Sequence, residues 1–226
     1  MKSSWTIPAF VVLSVLATGP APAQQGSVAD TVHNLSATGP GEIRSLTETE
    51  VCKFCHIPHN PTAPQPLWGH RLSTVAQYRT PEMASGRGGR VLSPQPDGAS
   101  RLCLSCHDGT VALGDVAGEK SPITMIGAQR LNPGRPGYIG TDLSGSHPVS
   151  FIVPENLVDD TGRDMGLRAR SIIEADPDVR LDASGKMQCT TCHDPHSDIN
   201  YRPGEVPHFW VKPSFDEVCL TCHELR

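Results

Sequence analysis

The sequence repeats Cys-x-x-Cys-His four times, and these four segments contain all eight cysteines of the 226-residue chain. We name them motif 1 (CKFCH, 52–56), motif 2 (CLSCH, 103–107), motif 3 (CTTCH, 189–193) and motif 4 (CLTCH, 219–223). Disulfides or zinc knuckles would use paired cysteines, but neither requires a histidine directly after each pair. The recurring histidine therefore has to be explained together with the cysteines.

The Cys-x-x-Cys-His pattern is typical of covalent attachment of haem c. Two thiols at this spacing form thioethers with the two vinyl groups of one porphyrin, and the adjacent imidazole binds the iron from the same side. The sequence therefore predicts four covalently attached haem c groups. The predicted attachment cysteines are Cys52, Cys55, Cys103, Cys106, Cys189, Cys192, Cys219 and Cys222, and the predicted proximal iron ligands are His56, His107, His193 and His223.

The composition argues against a conventional hydrophobic core. The chain has 21 glycines and 21 prolines, while aromatic residues make up only 5%, and such chains spend much of their length in turns and loops. We expect the fold of a multihaem cytochrome c: mostly irregular, with short α-helices at the attachment sites and a minor β-hairpin. Such a fold is organised around its haems.

Local signals indicate where these elements lie. Thr47 with Glu50, and Ser214 with Glu217, form capping-box patterns before motifs 1 and 4 and predict helices there. The segment 179–188, with a turn over 182–185, predicts the hairpin that leads into motif 3. A further helix is predicted over 163–175.

The N-terminus predicts export. Residues 1–23 contain Lys2, an apolar stretch and a small-residue cleavage site, which is the pattern of a secretory signal peptide. The remainder, 24–226, is interpreted as one tetrahaem domain with two motif pairs, over 24–125 and 126–226. We expect a periplasmic or secreted protein with no integral membrane segment, and a net charge of −5 gives no basis for nucleic-acid binding.

Six histidines remain for the four distal ligand positions: His33, His59, His70, His147, His196 and His208. His59 and His196 each lie three residues after a motif histidine, too close in the chain to reach the opposite face of the same porphyrin. If they bind iron, they bind that of a neighbouring haem. Methionine is the rival distal ligand, and four are available after removal of the signal: Met83, Met125, Met165 and Met187.

Several strings in the sequence are shared with a known group of proteins. They are HNLS, ETEVCKFCHIPHN, PLW, RLCLSCHDGTVALGD, GTDLSGSHPVSF, MQCTTCHDPH and VCLTCHE. Taken in this order, they resemble the tetrahaem c-type cytochromes with doubled CXXCH motifs, a multihaem family grouped loosely with cytochrome c3. The resemblance implies bis-histidine haem c and electron transfer, and it favours His33, His59, His147 and His196 as distal ligands, with His70 in reserve.

Three functions stay open at this point. The first is an electron carrier, not an enzyme, that works between redox partner proteins or towards an extracellular acceptor. The second is a subunit of an extracellular cytochrome filament, a homopolymer, which the chain also resembles. In such filaments a neighbouring subunit supplies one distal histidine, and His33, near the N-terminus, is the candidate for it here. The third is a multihaem reductase of a small inorganic substrate, which needs one iron with an open coordination position.

Overall fold

The computed structural model describes residues 26–63, 66–85, 89–155 and 166–224. The predicted signal peptide, 1–23, lies outside the described residues. Within them, most of the chain is irregular, interrupted by short helices and by two small antiparallel sheets. This confirms the predicted fold class. No helix in the described ranges is long and apolar enough to cross a membrane.

Every Cys-x-x-Cys-His motif lies at the end of a short helix. Motif 1 begins within a 3-10 helix, Val51–Phe54, and the other three motifs overlap α-helices. The α-helices in chain order are α1 (Gly98–His107), α2 (Arg170–Glu174), α3 (Cys189–Cys192) and α4 (Phe215–Cys222), and a second 3-10 helix spans Val28–Asp30. The prediction of short helices at the attachment sites is confirmed.

The two predicted capping boxes differ in outcome. The Ser214 hydroxyl accepts the Glu217 N–H at 3.2 Å and donates to the Glu217 carboxylate at 2.8 Å, which starts α4 as predicted. The box over Thr47 and Glu50 is wrong. There the Glu48 carboxylate accepts the Glu50 N–H at 2.9 Å, and only a 3-10 turn follows.

The strands lie elsewhere than the sequence indicated. Strand β2 (Glu82–Ser85) pairs with β3 (Gly89–Leu92), and β1 (Arg44–Ser45) pairs with the distant β4 (Met125–Ile126). The hairpin predicted over 179–188 is wrong in its pairing. The turn forms, because the Asp182 carboxylate accepts backbone N–H groups, but the strand-like segment after it pairs with 150–153 instead of 179–181.

The helix predicted over 163–175 is also shorter than expected. Residues 163–165 lie outside the described residues, and α2 covers only Arg170–Glu174. Gly166 has a φ of +79°, which is incompatible with a right-handed helix. The glycine therefore delays the start of this helix.

Two of the three apolar clusters of the described chain contain motif cysteines or pack against them. The first contains Phe54, Ile57, Leu113, Val116, Met125 and Leu131, and Cys55 and Cys106 pack against it. The second contains Val153, Ile173, Val179, Met187, Val206, Trp210, Val218 and Cys222, with Cys192 packed against it. Each cluster therefore supports cysteines from one of the two motif pairs.

A buried polar network joins the two halves where α1 contacts α3. The Ser100 hydroxyl, fully buried on α1, donates to Gln188 Oε1 at 2.6 Å and accepts the Cys189 N–H at 3.1 Å. The Gln188 amide nitrogen in turn donates to Asp97 at 3.1 Å. The helix that carries motif 2 is thereby held against the start of motif 3.

We predict that Ser100→Ala destabilises the protein by about 1 to 3 kcal/mol, because the buried Cys189 N–H and Gln188 oxygen each lose a partner. Denaturant unfolding of the haem-loaded protein measures this loss. Ser105→Ala is the matched control, since this equally buried serine on α1 donates to Leu102 of its own helix. An equal loss in both variants would contradict a role for the network between the halves.

Candidate functional site

Motifs 1 and 3 have the same local surroundings. The Nδ1–H of His56 donates to the Pro66 carbonyl at 2.8 Å, and that of His193 donates to the His208 carbonyl at 3.1 Å. A carbonyl oxygen only accepts, so it places the proton on Nδ1 and leaves the lone pair on Nε2. Both histidines are therefore held in the tautomer in which Nε2 can bind a metal ion.

A tryptophan lies edge-on against each of these two imidazoles. The ring centres of His56 and Trp68 are 5.8 Å apart, and those of His193 and Trp210 are 5.0 Å apart. In both places the tryptophan is two residues after the carbonyl that accepts the Nδ1–H bond. These tryptophans are not among the site residues predicted from the sequence, although their spacing from the two prolyl and histidyl carbonyls is the same.

The backbone around motifs 1 and 3 is also repeated. Ile57 N–H donates to Leu67 O at 2.9 Å, and Asp194 N–H donates to Phe209 O at 2.8 Å. Leu67 and Phe209 have φ values of 62° and 63°, in the left-handed region that costs non-glycine residues about 1 to 3 kcal/mol. The same strained turn is therefore repeated in the two halves of this fold, and in each half it lies beside a motif histidine.

Three motif histidines face another imidazole at similar spacing. The ring centres are 6.0 Å apart for His56 and His196, 5.9 Å for His107 and His33, and 6.3 Å for His223 and His147. Two imidazoles bound to opposite sides of one metal ion through nitrogens about 2 Å from it have ring centres roughly 6 Å apart. These three pairs therefore fit the axial ligands of a haem iron.

The hydrogen bonds of these paired histidines agree with that role. The Nδ1 atoms of His107 and His147 lie 2.6 Å from Gly137 O and 2.8 Å from Pro148 O. That of His33 lies 3.4 Å from Pro195 O. Burial and the neighbouring His107 lower the pKa of His33 to about 4, so its imidazole is neutral. Neutral imidazole is the form that binds metal ions.

The other histidines have different environments. His70 is fully buried, with Nδ1 2.9 Å from Arg71 O and Nε2 3.0 Å from Ala112 O, so both its ring nitrogens face carbonyls. His59 is exposed. Within the described ranges, no imidazole faces His193 as the three paired rings face each other, and the assignment of His59 as a distal ligand stays a prediction. Burial lowers the pKa of His193 and favours its neutral form.

The candidate methionine ligands are placed as follows. Met125 and Met187 are buried within the first and second apolar clusters. Met83 lies in strand β2, where it pairs with Val91. Met165 lies outside the described residues.

Cysteines of different motifs approach one another. The interaction between the Cys103 and Cys189 thiols raises the pKa of Cys103 and lowers that of Cys189 to about 7. Burial, with the nearby Cys222, raises the pKa of Cys192 to about 12. The thiols of motif 3 therefore lie beside those of motif 2 and motif 4.

The segment from Cys189 to His196 contacts the sites of all three other motifs. His196 faces His56 of motif 1, and the Pro195 carbonyl lies beside Nδ1 of His33, which faces motif 2. Cys192 lies near Cys222 of motif 4. This segment is therefore the common neighbour of the other three sites.

These repeated attachment sites have a counterpart among known proteins. Residues 183–225 match the family model of the doubled CXXCH motif. The match spans motifs 3 and 4 and supports a multihaem c-type cytochrome-like protein that binds haem c and transfers electrons. A search of curated proteins finds no match to the chain.

We predict two kinds of low-spin ferric signal in electron paramagnetic resonance of the haem-loaded protein. The imidazole planes are 20° apart for His56 and His196, but 63° and 69° apart for the other two pairs. Nearly parallel axial imidazoles give a rhombic signal, and nearly perpendicular ones give a signal with one large principal g value. A spectrum with rhombic signals alone would contradict these ring orientations.

Proposed function

We propose that this protein is a periplasmic or extracellular electron carrier with four covalently bound, bis-histidine haems c. The observation that carries the proposal is the set of three opposed imidazole pairs, each combining a motif histidine with a histidine from a distant part of the chain. The haem irons supply one-electron redox chemistry when bound.

The protein's own part is to hold and tune these groups. The eight motif cysteines would attach the porphyrins, and three histidine pairs would hold the irons: His56 with His196, His107 with His33, and His223 with His147. Backbone carbonyls accept the Nδ1–H bonds of His56, His107 and His147 and so leave Nε2 available to bind iron. Two such ligands would leave no position for a substrate at these three irons, which favours electron transfer over substrate chemistry.

The proximity of the four sites supports a relay within one molecule. The segment 189–196, which begins with motif 3, has contacts with each of the other three sites, through His196, Pro195 and Cys192. Haems held at these sites would each have a neighbouring haem with which to exchange electrons. The acidic net charge of −5 favours a redox partner with a positively charged docking surface.

Mass spectrometry and a redox titration of the exported protein test this function. We expect a mass that includes four haem groups and reversible reduction of all of them. Fewer than four attached haems, or irons that cannot be reduced reversibly, would contradict the proposal.

A substitution tests the ligand assignment within this function. His196→Ala should leave all four haems attached and convert one of them from low to high spin, because His56 loses the imidazole that faces it at 6.0 Å. Ile199→Ala is the control, since this side chain lies in the same segment and is 67% exposed, much as that of His196 is. Optical and paramagnetic resonance spectra report the spin state, and an unchanged spectrum of His196→Ala would contradict the assignment.

The second candidate function is a homopolymer that conducts along its length. His196 of the second half faces His56 of the first half. The other two histidines of these repeated segments, His193 of the second half and His59 of the first half, face no histidine ring within the described ranges. The halves of two neighbouring molecules could pack on each other as the halves of one molecule do, with their roles exchanged. In that arrangement His59 of one copy faces His193 of another. Such a head-to-tail contact produces a filament.

We predict that, in this second case, His59→Ala abolishes filaments seen by negative-stain microscopy and leaves one high-spin haem per molecule. If His59 instead binds within its own chain, the dilute wild-type monomer is fully low-spin and only the variant shows a high-spin haem. Filaments that persist in His59→Ala would contradict the homopolymer model based on this histidine.

A further inference from the structure

We propose that Asp198 is a positioning residue that couples the axial ligands of the motif 2 and motif 3 haems. It acts through one turn, His208–Phe209, which contacts a ligand of each haem. The inference rests on the proposed haem binding and goes beyond it, because it assigns to one carboxylate the joint tuning of two neighbouring redox centres.

Asp198 fixes this turn with both of its carboxylate oxygens. One oxygen accepts the Phe209 N–H at 2.6 Å, and the other bonds Nδ1 of His208 at 2.5 Å. The Tyr201 ring stacks on His208 at 3.5 Å between ring centres and shields this contact. The Asp198 side chain is only 11% exposed, so solvent weakens these charge-assisted bonds little.

The first residue of the turn, His208, contacts the motif 3 ligand. The His208 carbonyl accepts the Nδ1–H bond of His193 at 3.1 Å. A hydrogen bond at Nδ1 orients the ring and makes Nε2 a stronger donor to a metal ion. The position of the His208 peptide therefore influences the potential of the haem that His193 would hold.

The second residue of the turn, Phe209, contacts the motif 2 ligand. The Phe209 ring stacks on His33 at 4.1 Å with 17° between the planes, and His33 faces His107. The negative charge of Asp198 also interacts with His33. The same carboxylate thus acts on a distal ligand of one haem and a proximal ligand of another.

Comparison with motif 1 separates this role from formation of the turn. Leu67 takes the same left-handed conformation as Phe209, yet the residue at the position of Asp198, five after the motif histidine, is Pro61. Leu67 is 46% exposed, whereas Phe209 is 6% exposed. The turn therefore forms without a carboxylate, and the carboxylate occurs where the turn is buried against two ligands.

Asp198→Asn in the haem-loaded full-length protein tests the inference. The amide retains the shape but removes the negative charge that stabilises the ferric state, so we expect the potentials of the motif 2 and motif 3 haems to rise. Those of the motif 1 and motif 4 haems should change less. A redox titration followed by NMR, with haem methyl signals assigned to each motif, measures all four.

Asp142→Asn is the matched control. Asp142 also accepts a backbone N–H in a turn, from Ser144 at 3.0 Å, but it does not contact any of the assigned axial histidines. We expect it to leave the difference between the two pairs of potentials unchanged. Equal shifts at all four haems in both variants would overturn the inference, since they would show only an effect of net charge.

Phe209→Gly is a second variant, for the case in which the Asp198→Asn protein does not bind four haems. Glycine accepts the positive φ without strain, so this variant retains the turn and loses only the ring against His33. We expect altered potential and g values for the motif 2 haem alone. An unchanged motif 2 haem would overturn the inference that this turn acts on His33. Failure of the wild-type protein to bind haem would instead contradict the proposed function.

Discussion

The hydrogen bond from imidazole Nδ1 to a backbone carbonyl is the interaction on which the candidate sites depend. It decides which ring nitrogen keeps its lone pair, and it fixes the direction in which that lone pair points. For His56, His107 and His193, the accepting carbonyl belongs to a loop well outside the motif. The irregular loops therefore have a defined task, because each one must bring a carbonyl to within hydrogen-bonding distance of a ring.

This requirement explains why so little regular structure is present. In a helix or sheet the carbonyls bond to backbone N–H groups, whereas a loop leaves them available to side chains. The cost is limited backbone pairing, which the described chain offsets with two small apolar clusters and the buried Ser100–Gln188 contact. Attached porphyrins would add apolar surface to each cluster, beside Cys55, Cys106, Cys192 and Cys222.

The sequence was informative where the chemistry is local and less so where it is distant. The spacing of Cys103, Cys106 and His107 predicts an attachment site and its helix because all three residues lie within two turns of α1. The pairing of His33 with His107, or of His196 with His56, depends on tertiary structure that spacing does not encode. The left-handed Phe209 could not be found either, because glycine and asparagine, not phenylalanine, are the usual signals for that conformation.

Long separation along the chain has a consequence for the order of assembly. His33 meets the Pro195 carbonyl 162 residues away, and His56 meets His196, so the first histidines to leave the ribosome depend on some of the last. Contacts of such high sequence separation form slowly, because the intervening chain must first lose its freedom. The sites of the early motifs therefore stay incomplete until the segment 189–196 folds against them, so folding of the N-terminal half depends on the C-terminal half.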